Sequence, residues 1–332
     1  MKVSNSYRLA FFMDPLPDIL PDKDTTFALM LEAQKRGHQV SYFTPQELWV
    51  RGGAPWARLK QVQVFRPPKS GGPHFRLLAE SEQALAAFEM VLMRVDPPVT
   101  LDYIFLTQAL DLIPPPTVVV NRPLGLRAAG EKLFTLHFPD LAPPTLVTHR
   151  LAELKEFLKQ VGGKMVTKPL HARGGDEVFI VNARDPNLNV ILESATRQGT
   201  RFTLAQKYLP AARQGDKRII VLSGEPLGAT LRVPRAGEHR ANIHVGGVCK
   251  KAALTKRDRE ICARLAPALR QLGLHLVGLD VIGGWLTEVN VTSPTGVQEI
   301  DRLDGVCLES RILDYFEWLV QTAQQAGSTK KS

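Results

Sequence analysis

Residues 7–13 (Tyr-Arg-Leu-Ala-Phe-Phe-Met) form an almost unbroken apolar run that stops at Asp14-Pro15, the pattern of a buried strand ended by a loop. Asp24 stands where an N-cap belongs, ahead of a segment over 25–36 in which Phe27, Met30, Leu31 and Gln34 recur at helical spacing. Gly37 supplies the stop. His38–Phe43 predicts a second strand, so the chain opens β-α-β, which requires parallel pairing and a right-handed crossover. Met90–Arg94 and Thr117–Asn121 predict further strands, with a helix over Leu101–Leu112 between them. Residues 1–123 thus predict a small doubly wound α/β domain. Within it, Arg51–Pro73 is rich in Pro, Gly and basic residues and predicts an irregular connection. No G-x-G-x-x-G follows the first strand, so an NAD-type dinucleotide site has no support.

After Pro123 the pattern changes. A helix over Glu131–Phe138 leads through Pro143-Pro144 to a short strand and a helix over Ala152–Val161, stopped by Gly162-Gly163. Lys164–Leu170 and Glu177–Val181 predict a hairpin whose loop, 171–176, carries Gly174 and Gly175. A loop without side chains lets backbone N–H groups approach phosphates closely. Leu204–Leu209 predicts a strand, and Arg218–Ser223 with Leu227–Val233 a hairpin through Gly224. A helix over Asp258–Gly273 precedes a hairpin of Leu276–Ile282 and Trp285–Val291. The last predicted helix covers Glu309–Gln321, leaving 321–332 as a polar tail. No internal repeat is visible.

Composition narrows the class. At 332 residues the chain has room for about two domains, and 44% hydrophobic with 23% charged residues is ordinary for a globular protein. No apolar run approaches the ~20 residues that span a bilayer, and the N-terminus lacks the features of a signal peptide. Cys249, Cys262 and Cys307 are widely spaced, without a CxxC, which points to free thiols and a cytoplasmic protein. Forty-two Lys and Arg against 33 Asp and Glu give a net charge of +9. That suits nucleic acid or anionic small molecules alike, but no basic stripe with interleaved aromatics appears, so nucleic acid is disfavoured.

The residues that carry chemistry lie mostly in the second half. Glu288 and Asn290 share one face of a strand, and a three-residue loop over 283–285 places Asp280 opposite Glu288. Two carboxylates and an amide oxygen are the hard ligands that Mg²⁺ takes together with nucleotide phosphates; a solvated acidic sheet face is the other reading of the same pattern. Lys132 and Lys168 are candidates for nucleotide phosphates, Lys168 standing just before the glycine loop. Gln206-Lys207-Tyr208-Leu209, ended by Pro210, is suited to present backbone groups to an adenine edge, or is a plain core strand. Asp216, Arg218, Arg232, Arg240 and Asn242 add fixed charges and donors around the same hairpins. Guanidinium forks match carboxylate and phosphate oxygens.

The order Lys…Lys-Pro-Leu…Gly-Gly…Gln-x-Tyr-Leu-Pro…Gly-Asp-Lys-Arg…Asp…Glu-x-Asn resembles the ATP-grasp ligases. Met13-Asp14-Pro15, residues 27–34, Arg94-Val95-Asp96-Pro97-Pro98, residues 130–134 and Thr287-Glu288-Val289-Asn290-Val291-Thr292-Ser293-Pro294-Thr295-Gly296 narrow the likeness to the prokaryotic glutathione synthetases, over about residues 7–318. The resemblance implies an ATP-grasp fold over 124–320, with a lid of about 130–205 and a C-terminal subdomain of about 206–320, behind the small α/β domain. It implies ATP-driven joining of γ-glutamylcysteine and glycine through an acyl phosphate, in a homo-oligomer, often a tetramer, with no membrane or nucleic-acid partner.

Carried over by position, Asp280, Glu288 and Asn290 would bind Mg²⁺ or Mn²⁺. Lys132, Lys168, Gly174 and Gly175 would meet the phosphates, Gln206, Lys207, Tyr208 and Leu209 the adenine, and Asp216 the ribose. Arg218, Arg232 and Lys168 would be catalytic. Asp14, Arg94, Arg240, Asn242, Ser293, Pro294, Thr295 and Gly296 would hold the peptide. The glycine loop departs from the family pattern: Ala172 replaces a glycine, and Asp176 and Glu177 set two carboxylates where small residues usually approach the phosphates. Such charges oppose nucleotide binding unless compensated, as Arg173 could do. Two alternatives therefore stand beside the ligase reading: a related ligase with another peptide or amine, and a non-catalytic nucleotide or peptide sensor.

Overall fold

A computed structural model describes residues 6–68, 71–170, 176–234 and 247–329. Three sheets organise them. The first contains β1 (Arg8–Met13), β2 (Gln39–Phe43), β3 (Leu48–Arg51), β4 (Ala54–Val64), β5 (Phe75–Ala84), β6 (Met90–Arg94) and β7 (Val118–Val120). Its order is β3-β4-β2-β1-β6-β7, with β5 added to β4. The core strands β2, β1, β6 and β7 are parallel, as the β-α-β reading requires. α1 (Thr25–Lys35) starts at Asp24, whose carboxylate accepts the Phe27 N–H at 2.6 Å. α2 (Leu101–Leu110) is capped by Thr100.

The predicted irregular connection over Arg51–Pro73 is corrected over 54–64, which form β4 in antiparallel pairing with β3 and β5, while the described residues from Phe65 to Pro73 carry no helix or strand. Gly52 and Gly53, both at positive φ, turn β3 into β4. Along β4 Ala57 and Leu59 face one buried cluster, Val62 and Val64 another, with polar residues between. The glycines and prolines punctuate strands here instead of replacing them.

After α3 (Pro123–Ala128), residues 133–137 make a short 3-10 helix where a full helix over Glu131–Phe138 is predicted. A four-stranded antiparallel sheet follows, built of β8 (Thr145–Thr148), β9 (Lys164–Pro169), β10 (Phe179–Asn182) and β11 (Thr203–Lys207) in the order β10-β9-β11-β8. It is covered by α4 (Leu151–Gln160) and α5 (Leu188–Ala195). The last sheet holds β12 (Asp216–Leu222), β13 (Glu225–Val233), β14 (Val248–Lys251), β15 (Leu276–Ile282) and β16 (Trp285–Asn290), in the order β14-β13-β12-β15-β16. α6 (Lys256–Gln271), α7 (Val297–Asp304) and α8 (Leu308–Thr329) complete the described chain. α8 continues through most of the stretch expected to be a polar tail, because good helix formers extend it past the buried face of Leu308, Ile312, Leu313, Phe316 and Val320.

Packing cuts across the sequence order. One buried cluster joins Phe12, Phe43 and Met93 of the first sheet to Ile219, Leu279 and Val289 of the last. A second joins Phe11, Phe27 and Leu92 to Ile220, Ile300 and Phe316. The four-stranded sheet has its own small core around Leu154, Leu158, Met165, Leu192 and Ala205. Arg36, at the end of α1, holds α8 through Asp314 (2.8 Å), Glu317 (2.9 Å) and the Ser310 carbonyl (2.8 Å).

Asp301, in α7, accepts the Leu308 N–H at 2.8 Å and lies against the Glu309 carboxyl. Burial first, and then the shared proton with Glu309, push Asp301 up to about 8 from 3.8. A carboxyl raised by folding binds an extra proton in the native state, so its contribution is complete at low pH and is lost as pH climbs toward about 8. Asp301→Asn keeps an oxygen for Leu308 and offers Glu309 a permanent donor. Thermal melts from mildly acidic to mildly alkaline pH should therefore be flatter for the variant than for the unmodified chain. Parallel pH profiles for the two proteins would refute the shared proton.

Candidate active site

The last hairpin brings the acidic residues together by a route different from the one expected. Gly283 and Gly284, both at positive φ, make a two-residue turn with Ile282 opposite Trp285. On that register Thr287 would face Asp280. A bulge at Thr287 shifts the ladder, so that Asp280 pairs with Glu288 and Gly278 with Asn290. The Thr287 hydroxyl donates to the Asp280 carbonyl at 3.1 Å and ties down the bulge. The pairing of Asp280 with Glu288 holds, but the bulge produces it and the loop length does not.

The neighbouring strands bring the arginines to the same spot. Arg218 lies opposite Asp280 across β12 and β15, and Arg232 opposite Asp216 across β12 and β13. Arg218 grips Asp280 with two prongs, Nε to Oδ1 at 2.5 Å and Nη2 to Oδ2 at 3.0 Å. Arg232 bonds Asp216 and approaches Asp280 at 2.9 Å. Burial alone would raise the Asp280 carboxyl, but the two guanidinium charges overcome it and hold Asp280 well below the usual carboxylate range. Asp216 goes the other way: burial pushes it up to about 6, against the pull of Arg232 and with the push of the Asp280 charge. Among the described residues, Asp216 Oδ1 and Arg232 Nε are buried without a hydrogen-bond partner. Buried polar atoms left open in this way call for a partner from outside the described residues, water or ligand included.

Lysines close the ring. Lys132 is buried and pairs with Glu288 at 3.1 Å. Lys168 on β9 donates to Gln206 Oε1 at 3.2 Å, and Gln206 in turn donates to the Thr145 hydroxyl at 3.0 Å. Burial pushes the Lys168 ammonium down, while Glu288, Asp216 and Asp280 close by oppose that shift. The four-stranded sheet therefore presents Lys168 to the carboxylates of the last sheet. β11 ends at Lys207, so Tyr208 and Leu209 belong to the connection and not to a strand. Tyr208 lies under the Lys164 ammonium, 4.0 Å from the ring centroid.

The segment after Asn290 is held by the first domain. Arg94 is buried and donates to the Pro294 carbonyl at 3.0 Å and to the Thr26 hydroxyl at 3.0 Å. Asp14 Oδ2 accepts the Asp96 N–H at 2.8 Å, which orders the neighbouring loop. Arg218 Nη1 reaches the Thr295 carbonyl at 3.2 Å, and Gly296 begins α7. Gly174, Gly175, Arg240 and Asn242 lie outside the described residues. Of the two loop carboxylates that set this chain apart, Glu177 pairs with Arg201 at 2.5 Å and sits near Arg197, which lowers its pKa. Its charge is thus answered by arginines that follow α5.

Two residues without an assigned role in the sequence pattern also meet here. Glu131 and Asn121 bond the backbone at the end of β16. Glu131 falls in the 130–134 stretch of the family likeness and Asn121 at the end of a predicted strand, but neither pattern assigns them a role. Among the described residues no group of three or more His, Cys, Asp or Glu is placed to hold a metal. Asp280 and Glu288 with the Asn290 amide are the available set. All three are hard oxygen donors, Asp280 is held ionised, and the Asn290 amide nitrogen lies 3.3 Å from Asp280 Oδ2, leaving the amide oxygen for another partner. That set fits a magnesium-type ion.

Solved structures that resemble this architecture include ATP-grasp proteins. A D-cycloserine synthetase, DcsG, superposes with a TM-score of 0.65 at 14% identity, over 93% of this chain and 99% of its own. A RimK-domain ATP-grasp protein from Sphaerobacter thermophilus gives 0.60 at 18% identity, over 93% and 98%. The fold is therefore that of the ATP-grasp class. The family model for the prokaryotic glutathione synthetase N-terminal domain matches residues 7–127, and that for its ATP-grasp domain residues 131–305. The glutathione synthetase of Thermosynechococcus vestitus is 45% identical over 92% of this chain and 98% of its own length. That of Mesorhizobium japonicum is 44% identical over 93% and 98%. The chain belongs to the prokaryotic glutathione synthetase family.

Gly278 tests how tightly this site is packed. A Cβ there would stand 3.0 Å from Pro294 Cβ and 3.1 Å from Arg218 Cδ. Gly278→Ala should fold but push Arg218 or the Pro294 loop aside by a few tenths of an ångström, with a loss in kcat/KM of up to about tenfold, below the ~100-fold that a full ångström of misplacement can cost. Unchanged kinetics would show that neither group is positioned by this contact.

Proposed function

We propose that this chain is an ATP-dependent ligase that joins γ-glutamylcysteine to glycine, yielding glutathione, ADP and phosphate. The observation that carries the reading is the pairing of Asp280 with Glu288 inside a ring of Arg218, Arg232, Lys132 and Lys168. A carboxylate is a poor electrophile, so its cysteinyl oxygen first takes the γ-phosphoryl group of ATP and releases ADP. The glycine amine then attacks the acyl carbonyl, its lost proton passes to solvent, and phosphate departs.

In this reading Lys132 and Lys168 neutralise phosphate oxygens, and Gln206 holds Lys168 in place. The stretch Gln206–Leu209 takes the adenine, Asp216 the ribose, and Gly174 and Gly175 cover the phosphates. Arg218 and Arg232 face the transferring phosphoryl group and the tetrahedral oxyanion, where fixed donors lower the barrier because they need no reorganisation. The Ser293–Gly296 loop, with Asp14, Arg94, Arg240 and Asn242, seats the peptide. Asp280, Glu288 and Asn290 would hold Mg²⁺ or Mn²⁺, which when bound supplies positive charge to the phosphate oxygens. A cytoplasmic homo-oligomer is part of the same proposal.

The test is phosphate release from ATP that requires both γ-glutamylcysteine and glycine. Glu288→Gln should reduce it by about 10²–10³-fold, the scale for removing one preorganised electrostatic contact, while circular dichroism stays unchanged. Full activity in that variant would overturn the assignment of Glu288. Release with other amines but none with glycine would overturn the substrate.

A further inference from the structure

Val291 follows Asn290 directly, and its peptide unit is held on both sides by buried or half-buried side chains from outside the last sheet. Its N–H donates to Glu131 Oε1 at 3.2 Å. Its carbonyl accepts from Asn121 Nδ2 at 2.8 Å. Glu131 Oε1 also accepts the Thr292 N–H at 3.3 Å and the Thr292 hydroxyl at 2.8 Å. Asn121, only 3% exposed, spends every polar valence on these strands: Nδ2 also donates to the Leu276 carbonyl at 2.8 Å, and Oδ1 accepts the His275 and Leu276 N–H groups at 2.8 and 2.9 Å. Two residues before Val291, the Glu131 carbonyl accepts the Val289 N–H at 2.8 Å. Glu131 thus brackets Asn290, holding the residue before it with main chain and the two after it with its carboxylate.

We infer that Glu131 and Asn121 are positioning residues: by clamping the Val291 peptide they aim the Asn290 amide at Asp280 and set the angle at which the Ser293–Gly296 loop leaves the sheet. Ordinary ladder bonds cannot do this. The β15–β16 pairing ends at Gly278 and Asn290, and beyond it the Leu276 N–H and carbonyl and the Val291 carbonyl are all bonded by the Asn121 amide. A strand end with free backbone groups would fray, and the Asn290 side-chain direction would fray with it. Both clamps come from the chain just before the four-stranded sheet, Asn121 at the end of β7 and Glu131 beside Lys132. The stretch that carries a phosphate lysine thereby also fixes the amide and the peptide loop.

This inference rests on the proposed roles of Asn290 and the 293–296 loop, so the test separates the two. Glu131→Ala, Glu131→Gln, Asn121→Ala and Asn290→Ala are compared in the full chain by hydrogen exchange over 286–296, by the Mg²⁺ concentration that half-saturates ADP-induced thermal stabilisation, and by steady-state kinetics. Glu131→Ala and Asn121→Ala should speed exchange of the 291–292 amides, raise the half-saturating Mg²⁺ about tenfold and raise KM for the dipeptide more than they lower kcat, a tenfold change being about 1.4 kcal/mol. Glu131→Gln keeps the acceptor oxygen and should restore most of each readout. If exchange quickens while metal and peptide dependence stay at the parent values, the clamp is only structural and the inference fails. It fails equally if Gln is as damaging as Ala, since charge and not geometry would then be at work. If Asn290→Ala itself leaves Mg²⁺ dependence unchanged, the ligand assignment is what falls.

Discussion

Everything in the last sheet is organised by the contact between Asp280 and two arginines. A carboxylate this deeply buried is tolerated only when its charge is met by fixed partners, because desolvation otherwise costs several kcal/mol. Arg218 and Arg232 meet that requirement only if β12 pairs with β15 and with β13 in the observed registers. A slip of one residue on either side would turn an arginine to the opposite face and leave the acid unpaired. The ion network therefore selects the register as firmly as the apolar faces do. The same network holds Asp280 ionised, the state that a hard cation or a phosphate-bearing ligand set requires.

The distribution of core explains which parts can move independently. Buried residues of the first and last sheets are shared in two clusters, so those sheets form one body despite lying far apart in sequence. The four-stranded sheet packs around its own residues, Leu154, Leu158, Met165, Leu192 and Ala205 among them. Displacing it would break polar contacts across the cleft but would not open either large cluster. A sheet that carries Lys168 on its own core can shift against the other two without exposing their buried clusters.

What was legible in the chain followed local rules. The Asp24 cap, the β-α-β opening and the hairpins of the last sheet all declare themselves by short-range pattern, and strand alternation across the last hairpin located the acidic pair, although through a loop length that the structure corrects. What was hidden depended on context. The alternation of Ala57 and Leu59 with polar residues was present, but the glycines and prolines on either side read as disorder of pattern and masked three strands. The bulge at Thr287 has no local signature, because it answers a requirement of Asp280 pairing that only the assembled sheet imposes. The roles of Asn121 and Glu131 are hidden for the same reason, although Glu131 falls within the 130–134 motif: their partners are more than 150 residues away in Asn121's case and 160 in Glu131's.

The charge balance of the cleft bears on why the proposed chemistry needs a cation from outside the chain. Arg218, Arg232, Lys132 and Lys168 face Asp216, Asp280 and Glu288, so most of the positive charge is already engaged by the protein's own carboxylates. Asp216, raised to about 6, relieves only part of that burden. A triphosphate and a substrate carboxylate entering this ring would bring several further negative charges to a site whose described residues carry little surplus to neutralise them. A divalent ion on Asp280, Glu288 and Asn290 would convert the two acids from a liability toward phosphate into its anchor, leaving the arginines and lysines to follow the charge that develops during transfer. The excess of basic residues over the whole chain does not achieve this, because charges at the surface are screened within about 10 Å. The decisive balance is local, and it is struck where β9, β12, β13 and the last hairpin meet.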